Sequence, residues 1–326
     1  MIRFIAKLRT GICIGVTSLF ALSAHAAYPE KPIRIILPYP PGGGGDLLIR
    51  AIQPMLEKRL GQSILVDYKT GAAGNIGAQE VANAPPDGYT LLLGATNNFV
   101  INQYLFPKMG FDPVTAFAPV TVLIDQPYVV VISSQVPAQT FSEFAAYAKA
   151  NAGKLNFASP GAGTVPHMSA LMLSDMLGAK MVHVPYRGSQ PAVMALVGNE
   201  VQLFIASYGI IAGHIADGKM RPVIVAADKR LPLLPAVPTA AEGGIPPGIL
   251  LGNWWGLAAP MGTDRAIVQR LARDVKAVMD DPEVQKRFVS QGAVPIGSTP
   301  EEFSSRIQAE SSQWKKIVER TGVKVE

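Results

Sequence analysis

The sequence predicts an α/β fold in two lobes, each a mixed, mainly parallel sheet flanked by helices. Three observations carry that expectation. The chain has 326 residues, too many for one small domain and enough for two of ordinary size. Short β-branched apolar runs alternate along it with segments of helical periodicity, the pattern of strands lying beneath helices. Two glycine-rich loops, one around Gly43 and one around Gly161, each follow a strand-like run and open a helical one.

The elements follow in order. Residues 33–37 form a β-branched run stopped by Pro38. Beyond the first glycine loop, Asp46 is placed to cap a helix reaching about Leu60, with Gly61 just past its end. Pro54 lies inside that helix and should kink it. Residues 63–68 read as a strand, 74–83 as a helix, Pro85-Pro86-Asp87-Gly88 as a turn and 89–93 as a third strand. Residues 128–132 make a buried strand. Thr140 and Glu143 then supply a capping box for a helix to about Asn151, with Gly153 as its stop. Strands over 155–158, 180–186, 201–205 and 221–226 are interleaved with helices over 166–177 and 191–197. Two helices, 265–279 and 300–320, close the chain; Ile267, Leu271, Val275 and Val278 mark the apolar face of the first.

Composition narrows the classes. Hydrophobic residues are 48% and charged residues 16% of the chain, so it can fill cores and does not read as disordered. The first 26 residues have the layout of a secretory signal peptide. Arg3, Lys7 and Arg9 precede an apolar stretch over 11–22, and Ala24-His25-Ala26 ends it with a small-x-small site, so cleavage is expected after Ala26. That stretch falls short of the ~20 apolar residues a spanning helix needs. Of 29 Lys and Arg, three lie in this segment, which leaves 26 against 24 Asp and Glu and lowers the net charge from +5 to +2. Such a balance offers no footprint for nucleic acid or for an anionic membrane surface. The single Cys13 also falls there, so the exported chain must hold its fold by packing alone.

The two loops carry the chemistry. Pro38-Tyr39-Pro40-Pro41-Gly42-Gly43-Gly44-Gly45-Asp46 and Ser159-Pro160-Gly161-Ala162-Gly163-Thr164-Val165-Pro166-His167 each gather backbone N–H groups in front of a helix dipole. An anion there accepts charge-assisted hydrogen bonds worth about 1.5–3 kcal/mol each, and glycine lets it approach the backbone. Neither loop suits a nucleotide. No lysine follows Gly42 to Gly45 as a P-loop requires, and Leu47 and Pro166 take the place of the third glycine of the dinucleotide fingerprint. His167, His183 and His214 lie at no metal-ligand spacing, and no nucleophile elbow is present, so neither cofactor nor metal is expected. His183, in an apolar strand, reads as a core residue; His167 either lines a cleft or holds its loop by a hydrogen bond. Trp254-Trp255 fits a pocket wall or packing at a lobe boundary.

Several motifs in sequence resemble one family. Pro38-Tyr39-Pro40-Pro41-Gly42-Gly43, Gly71-Ala72-Ala73-Gly74-Asn75-Ile76-Gly77 and Ala84-Pro85-Pro86-Asp87-Gly88-Tyr89-Thr90-Leu91-Leu92 come first. Phe111-Asp112-Pro113, Gly161-Ala162-Gly163-Thr164, His167 and His183-Val184-Pro185-Tyr186-Arg187-Gly188 follow. Leu234-Pro235-Ala236-Val237-Pro238-Thr239 and Gly297-Ser298-Thr299-Pro300-Glu301-Glu302-Phe303 complete the set. Together they resemble the Bug family, the TctC-like extracytoplasmic solute receptors of tripartite tricarboxylate transporters.

The resemblance implies a periplasmic binding protein of type II, a Venus flytrap, with crossings near 126–131 and 253–259. One lobe would comprise 27–126 and 255–326 and the other 127–254. It implies a small organic carboxylate as ligand, di- or aromatic carboxylates favoured, delivered to membrane permease subunits. The residues it would place around that ligand are Tyr39, Gly42, Gly43, Gly44 and Asp46 in one loop and Ser159, Gly161, Ala162, Gly163, Thr164 and His167 in the other. Thr96 and Asn97 match a further cleft loop, and Ala206 and Ser207 stand where family members often carry an aspartate. Lack of that acid disfavours an amino-acid ligand and removes a repulsive charge from the far end of the pocket. The alternative is a periplasmic hydrolase of a carboxylic ester or amide in the same cleft, for which the chain shows no recognisable nucleophile, base and orienting group.

Overall fold

The computed structural model describes residues 28–325, so the segment read as a signal peptide lies outside the described residues. The chain first lays down β1 (Ile33–Leu37), α1 (Gly44–Leu60), β2 (Ile64–Tyr68), α2 (Asn75–Ala82), β3 (Thr90–Ala95), α3 (Asn102–Leu105) and β4 (Phe117–Gln126). After Pro127 come β5 (Tyr128–Ser133), α4 (Phe141–Ala150), β6 (Asn156–Ser159), α5 (Val165–Met176), β7 (Val182–Pro185) and α6 (Ser189–Val197). They are followed by β8 (Leu203–Ser207), α7 (Tyr208–Ala216) and β9 (Met220–Ala226). An irregular segment returns the chain to β10 (Asn253–Pro260), α8 (Arg265–Met279), α9 (Pro282–Ser290), β11 (Val294–Pro295) and α10 (Pro300–Thr321).

These strands form two sheets, one in the order β11-β4-β10-β3-β1-β2 and one in the order β7-β6-β8-β5-β9. The expected mixed α/β class is the one seen, but the balance of pairing departs from expectation. Four ladders are parallel and five antiparallel. The excess comes from the strands beside the crossings: β10 returns to the larger sheet from the far end and runs against both β3 and β4. β5, entering the smaller sheet beside Pro127, runs against both β8 and β9.

Each sheet buries an apolar cluster on both faces, which is why its central strands read as near-continuous hydrophobic runs. One cluster crosses between the sheets: Val165, Met168 and Met172 of α5 pack with Phe99, Ile101 and Leu105 from the other half. The halves therefore meet through buried apolar surface as well as through polar contacts.

Local signals explain most boundaries. Thr140 caps α4 by accepting the Glu143 N–H, and Thr299 with Glu302 closes a full capping box on α10. α1 starts two residues before the expected cap and is continuous through Pro54. Asp46 sits in its first turn, where a carboxylate favours the positive end of the dipole.

Candidate functional site

The first loop ends on α1 from the larger sheet and the second on α5 beside the smaller sheet. The first-turn N–H groups of both helices lack partners within the helix. Between them lies a cavity of about 70 Å³ lined from both sides. Tyr39, Gly43, Gly44, Asn97 and Trp255 form walls from the larger-sheet half, and Thr164, Pro166, Gly188, Phe204, Ala206 and Ser207 from the smaller. Gln126, Tyr128 and Asn253 line it at the crossings. No lining side chain is a carboxylate, an ammonium, a guanidinium or an imidazole. Burial drives the Tyr39 and Tyr128 phenols far above their ordinary range, so both stay protonated.

Seven of the expected site residues line this cavity: Tyr39, Gly43, Gly44, Asn97, Thr164, Ala206 and Ser207. The others do not line it: Ala162 is exposed at the tip of its loop, and the hydrogen bonds of most of the rest show what they do instead. Asp46 is 5% exposed and accepts from the Gly42 N–H at 2.8 Å, from Arg50 Nε at 2.8 Å and from the Tyr68 hydroxyl at 2.5 Å. Burial alone would raise its pKa, but these donors together hold the carboxyl below its usual value. Asp46 is thus a brace for the glycine loop, and Gly42 is the residue it braces.

Thr96 ties the crossing: its hydroxyl accepts the Trp254 N–H at 3.0 Å. Ser159 is turned inward, its hydroxyl 2.7 Å from His183 Nε2 and donating to the Gly161 carbonyl at 3.0 Å. Gly161, Ala162 and Gly163 shape the turn without lining the cavity. Gly161 and Gly163 occupy positive φ, +148° and +78°, which a side chain would resist.

His167 takes the second of its two readings. Its Nδ1 accepts the Gly163 N–H at 3.0 Å, which fixes the neutral tautomer with the proton on Nε2. Its ring stacks on His183 with centroids 3.8 Å apart, and His183 stacks in turn on Phe157 at 5.0 Å. Burial lowers both imidazoles to about 4, with His183 adding to the effect on His167. The tryptophan pair divides between its two readings. Trp255 is a cavity wall and meets Tyr39 edge-on at 5.4 Å, whereas Trp254 packs into the core against Phe99 and Phe303.

Two hydrogen bonds latch the halves beside the cavity. Gln190 Nε2 donates to the Gly42 carbonyl at 2.9 Å, and Asn97 Nδ2 donates to the Gly163 carbonyl at 2.8 Å. Both glycine loops therefore offer one carbonyl to the opposite half. Sequence reasoning missed Gln126, Tyr128 and Asn253 as lining residues. Their position at the predicted crossings was the signal that could have found them.

A small cavity enclosed where two sheets meet, walled by glycine loops and uncharged side chains, defines a solute-binding protein of the periplasmic binding class. Residues 48–323 match the family described as Tripartite tricarboxylate transporter family receptor, and the chain belongs to that family. Protein BugT of Bordetella pertussis (strain Tohama I) is 32% identical over 316 residues, covering 97% of each chain. The structure of an R. palustris protein with adipate superposes with a TM-score of 0.86 at 31% identity, over 90% of this chain and 98% of that one. That of MatC from Rhodopseudomonas palustris with bound malate gives 0.82 at 34% identity, over 89% and 100%. The Bug-family resemblance read from the motifs thus stands, and none of these relatives supports the hydrolase alternative.

Proposed function

We propose that this receptor captures a small organic carboxylate, with dicarboxylates and aromatic carboxylates favoured, and delivers it to the permease subunits of a tripartite tricarboxylate transporter. In this reading the signal segment is cleaved after Ala26. Residues 27–126 with 255–326 form one lobe and 127–254 the other, and they close on the ligand as a flytrap does.

One observation carries the proposal. The N-terminal turns of α1 and α5, from opposite sheets, border a single cavity that holds no charged side chain. Backbone N–H groups from both sides, with ordered water between where needed, can share one carboxylate, and no acid repels it. Gly43, Gly44 and Thr164 are the nearest loop residues to this task, with Tyr39, Asn97, Ala206 and Ser207 completing the wall. Relatives of similar fold solved with adipate and with malate agree with a carboxylate ligand.

Thermal melting with a panel of aliphatic and aromatic mono- and dicarboxylates tests it. Ligand at ~100 times its dissociation constant adds about 2.7 kcal/mol to the folded state, a rise of several degrees. A shift produced by one class of acid and abolished in its amide is the expected result. A panel that leaves the melting temperature unmoved counts against the carboxylate reading.

A further inference from the structure

A second hollow lies behind the crossing strands. Side chains alternate along a strand, so neighbours face opposite ways. Trp255 and Tyr128 line the ligand cavity, whereas Trp254, Asp125 and Pro127 line a groove of about 660 Å³ on the other face. The same two halves bound both hollows. Arg306, Glu310 and Trp314 of α10 form one wall of the groove, and Ala227, Pro246 and Pro247 stand on the other.

Each wall is stiff. The Trp254 indole N–H donates to one Glu310 oxygen at 2.8 Å, and Arg306 Nε donates to the other at 2.7 Å. Arg306 also pairs with Asp125 at 2.7 Å and lies over the Trp254 ring, 5.3 Å from its centroid. The opposite wall is fastened to β9: the Ala240 N–H donates to the Val225 carbonyl and the Ile245 N–H to the Ala240 carbonyl, each at 2.9 Å. Arg320 of α10 reaches across to the Gly248 carbonyl at 2.8 Å, so the walls stand within side-chain reach of each other. Two stiff walls cannot both keep their places when the halves rotate. A rotation about the crossing strands that widens the ligand cavity must narrow the groove behind them. With both latches made and the cavity at about 70 Å³, the groove stands wide.

We propose that this groove is the counter-cleft of the flytrap: its open volume exists only while the ligand cavity is closed, so bulk lodged in it favours the closed form and tightens ligand binding. The inference rests on the flytrap reading above and adds control of affinity from a face that the ligand does not touch. A group that fits only the closed form shifts the population toward that form, and apparent affinity rises with the closed fraction. The native walls leave room for opening. Ala226, Ala227, Ala240 and Ala241 keep the far side of the groove shallow and unfilled.

Site-selective filling of the groove tests the proposal. Cys13, the single cysteine of the chain, lies in the segment expected to be removed, so a cysteine introduced into residues 27–326 is the sole thiol. Ala227→Cys and Gln313→Cys place it on opposite walls, and Ser312→Cys, exposed on α10 outside the groove, is the control. Each variant is compared with a methylthio group and with a pyrene maleimide tag on the thiol, so bulk changes while sequence does not, and melting curves check that all forms fold. Small-angle X-ray scattering of the ligand-free protein reads closure, and calorimetry with succinate, adipate and benzoate reads affinity. At either wall the pyrene tag is expected to compact the ligand-free protein and to tighten the acid that binds by about threefold or more. The methylthio forms and the tagged control are expected to match the parent protein. A radius of gyration that the tag leaves unchanged at both walls, or binding that it leaves unchanged or weakens, overturns the counter-cleft and leaves the carboxylate reading standing. Compaction by the tag with no binding of any of the three acids upholds the counter-cleft and counts against the carboxylate reading.

Discussion

At the scale of single residues, the stacked imidazoles of His167 and His183 connect the second glycine loop to pH. Both folded-state values, about 4, lie below the ordinary 6.5. Between those limits the unfolded chain binds more protons than the folded one. The stability contributed by the neutral pair is therefore complete above about pH 6.5 and is lost as pH falls toward 4, with no further loss below. The melting temperature should drop between pH 7 and pH 5, and the double variant His167→Gln with His183→Gln should drop less. A decline of the same size in both proteins would remove the histidines from the account. The sequence showed His167 as either cleft or loop residue and could not choose, because the choice depends on His183, which arrives from a neighbouring strand. Asp46 misled for a related reason. Its place after four glycines suggests ligand contact, whereas its partners Arg50 and Tyr68 turn it into a brace.

At the scale of elements, the first turn of α1 is built to the dimensions of the Gln126 amide. A Cβ on Gly44 would lie 2.7 Å from Gln126 Oε1 and 3.0 Å from Nε2. The amide is buried and tethered to Trp255, so it cannot swing away. Gly44 has no positive φ, so alanine would suit the backbone and act through crowding alone. Gly44→Ala should cost about 1–3 kcal/mol of stability and weaken carboxylate binding as well. Binding at wild-type strength in calorimetry would show that the amide position is unimportant. Most strands and the long amphipathic helices were legible from periodicity and caps. The misses have more than one cause: β4 carries Pro119 and α7 holds Gly209 and Gly213 among apolar residues, so neither shows a clean period, whereas α9, capped by Asp281 and burying Val284 and Phe288, was passed over between the two closing helices that were expected.

At the scale of the whole molecule, the proposed closure draws on the two hydrogen bonds beside the cavity together with the apolar cluster that crosses between the sheets. Asn97→Ala would delete one latch and leave the buried Gly163 carbonyl unpaired, a loss of about 1–3 kcal/mol. If that loss falls on the closed form, affinity for carboxylate should fall on the order of tenfold or more. Gln190→Ala, at the exposed latch, should have a smaller effect. Calorimetry on the two variants checks the order, and reversal of that order would place the main latch elsewhere. The two-sheet plan was visible in the sequence because each half repeats strand, glycine loop and helix. The floor at Gln126, Tyr128 and Asn253 was not, because it exists only once two distant stretches align in one ladder. The uncharged wall also bears on what attracts a solute. Among the side chains that line the cavity none is ionised, so the pull on an anion inside it comes from the helix-end N–H groups at short range rather than from formal charge.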